Sequence, residues 1–470
     1  MLRVLIMKNR KPTKWRHSAI LLGSMFFGMS GLSTAATLTE PAAPDERLND
    51  YPIVLVHGFF GWGRDEVLGL YKHFGGFKDI QEELKRYGNH DTVVTPAMGP
   101  ISSSWDRACE LYAQLTGTRV DYGVAHSTEH EHERFGENHN TWKNKSKISN
   151  LGKGQKVNLI AHSQGVQTSR ILIELLGKGS AAERDATRTS DLSDLFKGDN
   201  QWVNGLAAIS GANDGSPLAH AIYHGVPGFD DLISTLIKAV NLLNIDAIYD
   251  FKLDQFGLDG RRLFELPSAY TRRIIGDLYH RKDSAFYDMS TDGSAEINQF
   301  ASAESDVYYY SWANQTSELN GSGKQVSGKS TNPILTLPVN FMGSFTHQPE
   351  GQVPLDSEYW PNDGITSTRS MAGPINWSTD VITPYDPSQV RDGIDIKPGI
   401  WNYMGHIEGN WDHWDMLNIL DGSHDVRPLY YNAANFLTST PGVKGGSLNW
   451  FIILSCLSFL FIRKSRSQGK

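Results

Sequence analysis

Apolar positions along this chain follow two alternating rhythms. Residues 53–56 (Ile-Val-Leu-Val), 157–161 and 202–210 are short, largely apolar runs, as expected of parallel strands covered on both faces, and 92–95 is a shorter strand. Residues 79–87, 105–115 and 166–176 instead repeat their apolar side chains at helical spacing. This alternation predicts an α/β domain, a mostly parallel central sheet with helices on both faces. In such sheets the chemistry gathers at the carboxyl ends of the strands. His57-Gly58-Phe59 and Ser163 both fall at such ends, which predicts them to be neighbours.

One tight turn, with Ser163 at its apex, joins the strand 157–161 to the helix 166–176. A strand that reverses directly into a helix strains its apex residue and crowds the positions two before and two after. Those positions must be small, and they are Ala161 and Gly165. The serine hydroxyl then projects clear of the sheet, beside amide N–H groups and the positive end of a helix. This is the setting of a nucleophile; the plainer alternative is a helix N-cap serine after a core strand. Acyl transfer also needs two amides aimed at the developing oxyanion. Gln164, after the nucleophile, offers one, and Phe59 offers the other, since Gly58 lets the backbone approach closely. The acid and then the base should follow the serine in the chain. Asp363, in Trp360-Pro-Asn-Asp-Gly-Ile365, sits in a turn that exposes a carboxylate at a strand end. The later histidines are His220, His224, His280, His347, His406, His413 and His424, and composition does not choose His413 over His406 or His424.

Composition narrows the classes. A net charge of -8 gives no footprint for nucleic acid. The 2 cysteines, Cys109 in a helical segment and Cys456 near the end, make no disulfide framework, so one buried free thiol is expected. A basic stretch (Lys8, Arg10, Lys11, Lys14, Arg16), an apolar run over 19–32 and small residues through Ala36 predict a signal peptide over 1–36, cleaved after Ala35 or Ala36. At the other end Gly445-Gly446 precedes an apolar stretch over 448–462 and then Arg463, Lys464, Arg466 and Lys470. That tail, 447–470, is short for a stable span, and its positive end would stay cytoplasmic. The body, 37–446, is expected to work outside the cytoplasm. Residues 317–331, rich in Gly, Ser, Lys and Asn, read as a loop.

Longer motifs carry a resemblance. Trp62-Gly-Arg-Asp-Glu66, Trp105-Asp-Arg-Ala-Cys-Glu110, Val120-Asp-Tyr-Gly-Val-Ala-His126, Ala161-His-Ser-Gln-Gly165, Tyr249-Asp-Phe-Lys-Leu-Asp254 and Asn362-Asp-Gly364 resemble the secreted lipases of staphylococci and thermophilic bacilli, over about 50–436. The resemblance implies the α/β-hydrolase fold and hydrolysis of triacylglycerols and other carboxylic esters at oil–water interfaces. It implies a triad of Ser163, Asp363 and His413, with oxyanion amides from Phe59 and Gln164. It also implies a structural zinc held by Asp106, His126, His132 and Asp254, with His130 the spare histidine facing solvent. A structural calcium is implied at Asp415, Asp421 and the carbonyl of Gly328. The region 217–253 corresponds to a lid whose helix would carry Leu232, Ile233, Leu236, Ile237, Val240 and Leu243 on one face; an ordinary core helix is the alternative. The turn Ser210-Gly-Ala-Asn-Asp-Gly215 departs from the family pattern.

The tail resembles a GlyGly-CTERM sorting signal of Gram-negative bacteria, which a rhomboid-type protease cuts near the glycine pair. The expected partners are therefore export machinery, that protease and a lipid or ester substrate. The expected location is extracellular or on the cell surface, with a transient or retained anchor. Two other functions stay open at this point: an esterase for short-chain or polymeric esters, and an inactive surface-displayed binding protein on a hydrolase scaffold.

Overall fold

Every side chain of the strand Ile53–Val56 is buried, which explains why its sequence shows no polar face. The computed structural model describes residues 35–36, 47–88, 90–227, 251–258, 262, 265–386, 396–419 and 424–441. Of the signal peptide expected over 1–36, residues 1–34 lie outside the described residues, as do the expected lid helix and the expected C-terminal tail. Among those described, no helix is long and apolar enough to cross a membrane.

The central sheet comprises β1 (Ala35–Ala36), β2 (Ile53–Val56), β3 (Val93–Val94), β4 (Val157–His162), β5 (Val203–Ile209), β6 (Tyr308–Ala313), β7 (Ile382–Pro384) and β8 (Trp401–Ile407). Its order is β1-β8-β6-β5-β4-β2-β3, with β7 also on β8, and every described pairing is parallel. The chain reverses its direction of growth at β2, where β3 is added on one side and β4 on the other. Such a switch leaves a crevice beyond the strand ends. The register Val56↔Ala161 sets the ends of β2 and β4 side by side.

Helices α1 (Ile80–Gly88), α2 (Ser104–Thr116), α3 (Gln164–Gly177), α4 (Pro217–Tyr223), α5 (Thr291–Phe300) and α6 (Arg427–Thr438) are those that matter here. Leu111 and Leu115 of α2 and Val166 and Leu175 of α3 belong to a buried cluster with Val54, Val56, Leu159 and Leu206. On the opposite face Ile80 and Leu84 of α1 and Tyr430 and Leu437 of α6 pack with Ile53, Leu55, Ile160 and Ile209. Alternate residues of one strand thus serve two cores. The expected elements are present to within a residue or two. The exception is 317–331, where Ser317–Leu319 and Gln325–Ser327 form an antiparallel hairpin. Asn320 makes that turn by accepting the Ser322 and Lys324 N–H groups, and the strands, polar and half-exposed, carry no apolar alternation to read. Cys109 is a buried free thiol, as expected.

Glu110 of α2 is buried, accepting the Gly99 N–H (2.5 Å) and the Tyr122 hydroxyl (3.1 Å). Burial pushes its pKa from 4.5 up to about 7. A raised folded pKa means the folded state keeps a proton that the unfolded chain releases, so this contribution to stability is lost as pH rises from 4.5 through about 7. Glu110→Gln should therefore become more stable relative to the unsubstituted protein by roughly 2 kcal/mol between pH 5 and pH 8. Urea unfolding at both pH values measures this; an equal difference at both would show that Glu110 does not take up that proton.

Candidate active site

β4 passes directly into α3 through Ser163, whose φ is 57° and ψ -130°. Few non-glycine residues sit there, and those that do are held by their surroundings. A Cβ on Gly165 would stand 2.4 Å from the Val56 carbonyl oxygen and 2.7 Å from that of His57. One on Gly58 would stand 2.6 Å from Ser163 Cβ and 3.1 Å from Ser163 Oγ. The loop after β2 and the serine turn are therefore in direct contact, as their strand-end positions predict. Phe59 and Gln164, whose amides are the expected oxyanion donors, flank that contact, one following Gly58 and the other opening α3.

Buried polar groups fasten this frame. Arg107 of α2 donates Nε to the Thr168 hydroxyl (2.9 Å), Nη1 to the Gly99 carbonyl (2.6 Å) and Nη2 to the His57 carbonyl. Gln164 Nε2 donates to the Ser102 carbonyl (3.0 Å). Behind the serine lie three buried imidazoles, His57, His73 and His162. Burial lowers all three, His73 to about 3, so they add no positive charge at neutral pH.

Asp363 and His413 are brought together. His413 Nδ1 lies 2.6 Å from Asp363 Oδ2, and the His413 N–H donates to the Asp363 carbonyl (3.0 Å). The other carboxylate oxygen of Asp363 accepts the N–H groups of Ile365 (3.0 Å) and Thr366 (2.8 Å). The His413 ring lies 4.6 Å from that of His162, the residue before Ser163. Ser163 Oγ itself hydrogen-bonds to no described residue. Of the alternatives, His424 pairs with Asp415 (3.1 Å) and His406 lies within β8. One participant went unrecognised in the sequence. Asn314, directly after β6, donates Nδ2 to Asp363 Oδ2 (3.3 Å) and to the carbonyls of Trp411 (3.0 Å) and Asp412 (3.2 Å). Its position at a strand carboxyl end was the available signal.

A family model described as "Lipase-like, C-terminal domain" matches residues 49–439. The chain belongs to this family. Lipase 2 of Staphylococcus aureus is 29% identical over 385 residues, covering 79% of this chain and 51% of that protein. Lipase 1 of Staphylococcus aureus strain MRSA252 is 29% identical over 392 residues, covering 81% and 52%. The chain thus spans about half the length of the curated relatives it matches. Among solved structures, EstA from Clostridium botulinum is 36% identical with a TM-score of 0.75, covering 87% of this chain and 93% of that one. Lipase 1 from Pelosinus fermentans is 38% identical with a TM-score of 0.70, covering 83% and 99%. Staphylococcus hyicus lipase is 25% identical with a TM-score of 0.65, covering 83% and 96%. With the parallel sheet and flanking helices, these similarities establish the α/β-hydrolase fold.

This lipase-like domain also gathers Asp106, His126, His132 and Asp283 into one cluster. His126 Nε2 lies 3.2 Å from Asp106 and 3.3 Å from Asp283; His132 Nε2 lies 3.9 Å and 3.4 Å from the same two carboxylates. Metal–nitrogen bonds of 2.0–2.1 Å in a tetrahedron place ligand atoms about 3.4 Å apart. His132 Nδ1 contacts the Glu133 carbonyl (2.8 Å), which turns Nε2 into the cluster, where it has no hydrogen-bond partner among the described residues. Burial alone would lower His126, but hydrogen bonds and charge from Asp106 and Asp283 push it up to about 10, a measure of how strongly the site favours a cation. Two imidazoles and two carboxylates suit zinc.

The fourth member corrects the sequence expectation, which was Asp254. That residue opens the turn Asp254–Phe256, and the turn presents Gln255 instead, whose Nε2 donates to Asp106 (3.0 Å). His130, expected to face solvent, is half-buried with its ring 4.6 Å from that of His126. Of the expected calcium ligands, Asp421 lies outside the described residues. Asp415 is buried and accepts the Asp412 N–H (2.8 Å), and it joins no cluster of three candidate ligands among the described residues. Gly328 directly follows the strand Gln325–Ser327, and a Cβ there would stand 2.9 Å from Asn410 Nδ2.

Gly165→Ala drives a Cβ into two backbone carbonyls that cannot turn aside. Urea unfolding should show a loss of about 1–3 kcal/mol. An unchanged midpoint would mean that the turn has room to spare.

Proposed function

We propose that this domain is a serine carboxylester hydrolase, with triacylglycerols as its substrates and Ser163, His413 and Asp363 as its triad. The observation that carries the reading is the Asp363–His413 pair held in ring contact with the residue preceding a strained serine. His413 Nε2 takes the Ser163 proton as Oγ bonds to the ester carbonyl carbon. The Phe59 and Gln164 amides receive the oxyanion, and collapse expels the alcohol, which His413 protonates. Water, deprotonated by the same imidazole, then attacks the acyl-serine and frees the acid. Asp363 keeps Nδ1–H oriented and stabilises the imidazolium without taking its proton.

Apolar surroundings favour acyl chains. Phe59, Ile365 and Trp414, each within two residues of a site group, share one cluster with Leu218, Phe286, Leu335 and Val339. Zinc, held by Asp106, His126, His132 and Asp283, braces the segment around 126–132 against the core and takes no part in the reaction. A calcium at Asp415, Asp421 and Gly328, the lid over 217–253, export by the N-terminal signal, and surface sorting through the C-terminal tail complete the reading.

Ser163→Ala should lose at least about 10³-fold in kcat for p-nitrophenyl esters, together with labelling by a fluorophosphonate. Hydrolysis undiminished in that variant would remove Ser163 as nucleophile, and an unlabelled native protein would favour the binding-protein alternative. Release from both tributyrin and triolein is expected of a lipase; tributyrin alone would point to an esterase. His126→Ala should lose one zinc per chain by elemental analysis, and zinc retained there would exclude His126 as a ligand.

A further inference from the structure

α4 has two unlike sides. Leu218, Ala221 and Ile222 join the apolar cluster that contains Ile365. His220 and His224, one helical turn apart, meet Asp292 at the start of α5. His224 Nε2 lies 3.0 Å from Asp292 Oδ2, and His220 Nδ1 lies 3.9 Å from the same oxygen. These spacings bracket the separation of about 3.4 Å that a tetrahedral zinc imposes on its ligands.

The surroundings of His220 turn its Nδ1 toward Asp292. The residue is fully buried; its Nε2 lies 2.8 Å from His347 Nδ1, and its Nδ1 lies 2.9 Å from Thr291 Oγ1. With the proton on Nε2, His220 donates to His347 while its Nδ1 lone pair accepts from the Thr291 hydroxyl. That tautomer leaves a neutral imidazole whose Nδ1 lone pair, taken up by the Thr291 hydroxyl, lies on the Asp292 side, where a metal ion can replace that hydrogen bond. The frame is anchored as well. The His224 N–H donates to the His220 carbonyl (3.0 Å), Asp292 Oδ1 accepts the Val353 N–H (2.8 Å), and His347 exchanges backbone bonds with Leu355 (3.0 and 2.8 Å). No member belongs to the Asp106 cluster or to the serine site.

We propose that His220, His224 and Asp292 form a second metal site, taking a divalent transition ion such as zinc, with His347 orienting His220. Two imidazoles and one carboxylate favour zinc-like ions over calcium, which prefers an all-oxygen shell. Three protein ligands leave a position for water, so this ion exchanges more readily than one enclosed by four. The Thr291 hydroxyl turns aside when the ion enters. Once bound, the ion ties α4 to α5 and stiffens the apolar wall that α4 carries.

Equilibrium dialysis of the untagged, chelator-stripped protein against micromolar Zn²⁺, read by elemental analysis, tests this. The unsubstituted protein should bind two zinc ions per chain. His224→Ala and Asp292→Asn should each bind one and still melt cooperatively; Asp292→Asn keeps an acceptor for the Val353 N–H if His224→Ala fails to fold. Two ions retained in both variants would overturn the proposal, as would a single ion in the unsubstituted protein that His126→Ala abolishes. A single ion lost in His224→Ala but kept in His126→Ala would uphold this site and reject the Asp106 cluster instead.

Discussion

A serine rests at φ 57° only while its neighbours leave it no other place. Here the confinement is steric and comes from two glycines. Gly165 lies so near the carbonyls of Val56 and His57, and Gly58 so near Ser163, that a Cβ at either would overlap them. Neither contact survives a shift of β2 against β4, so the parallel register Val56↔Ala161 and the geometry of the serine are one constraint. The remainder of the site is assembled around that junction: the amides of Phe59 and Gln164 inherit their positions from it, and His413 is delivered to it from a late loop.

What keeps the junction still is a set of buried polar side chains with their partners in place. Arg107 ties α2 to the ends of β2 and α3, and Asn314 binds the Asp363 carboxylate to the Trp411–Asp412 backbone. Networks of this kind are costly when partly satisfied and rigid when complete. The neutral imidazoles of His57, His73 and His162 fill the space behind the serine without adding charge beside His413.

Charge is handled differently at the two histidine–carboxylate clusters. Asp106 and Asp283 are both buried, and two carboxylates so close need a cation between them. A metal there would close very long loops, joining α2, the 126–132 segment and the stretch before Ala285, where the gain in order is largest. The His220–His224–Asp292 group is more open, and its two histidines sit on a short helix whose other side belongs to the apolar cluster that contains Ile365, two residues from Asp363. Local order at that helix therefore bears on the surface an acyl chain would meet.

Much of this was legible along the chain. The unbroken apolar runs, the helical repeats and the small residues flanking Ser163 report on neighbours within a few positions, and local sterics determine them. The hairpin at Ser317–Ser327 escaped because its strands bury no apolar face. Proximity between distant residues is another matter. Asp363 stands in a readable turn, but which histidine it meets depends on where a late loop crosses the sheet. The carboxylate that joins Asp106, His126 and His132 is Asp283 rather than Asp254, because the turn at 254 puts Gln255 forward. Asn314 is an unremarkable residue until the fold lays it between Asp363 and Trp411. The chain by itself determined the bend that holds the serine; only the packed fold decided which side chains surround it, since spacing along a polymer does not encode distance across a folded interior.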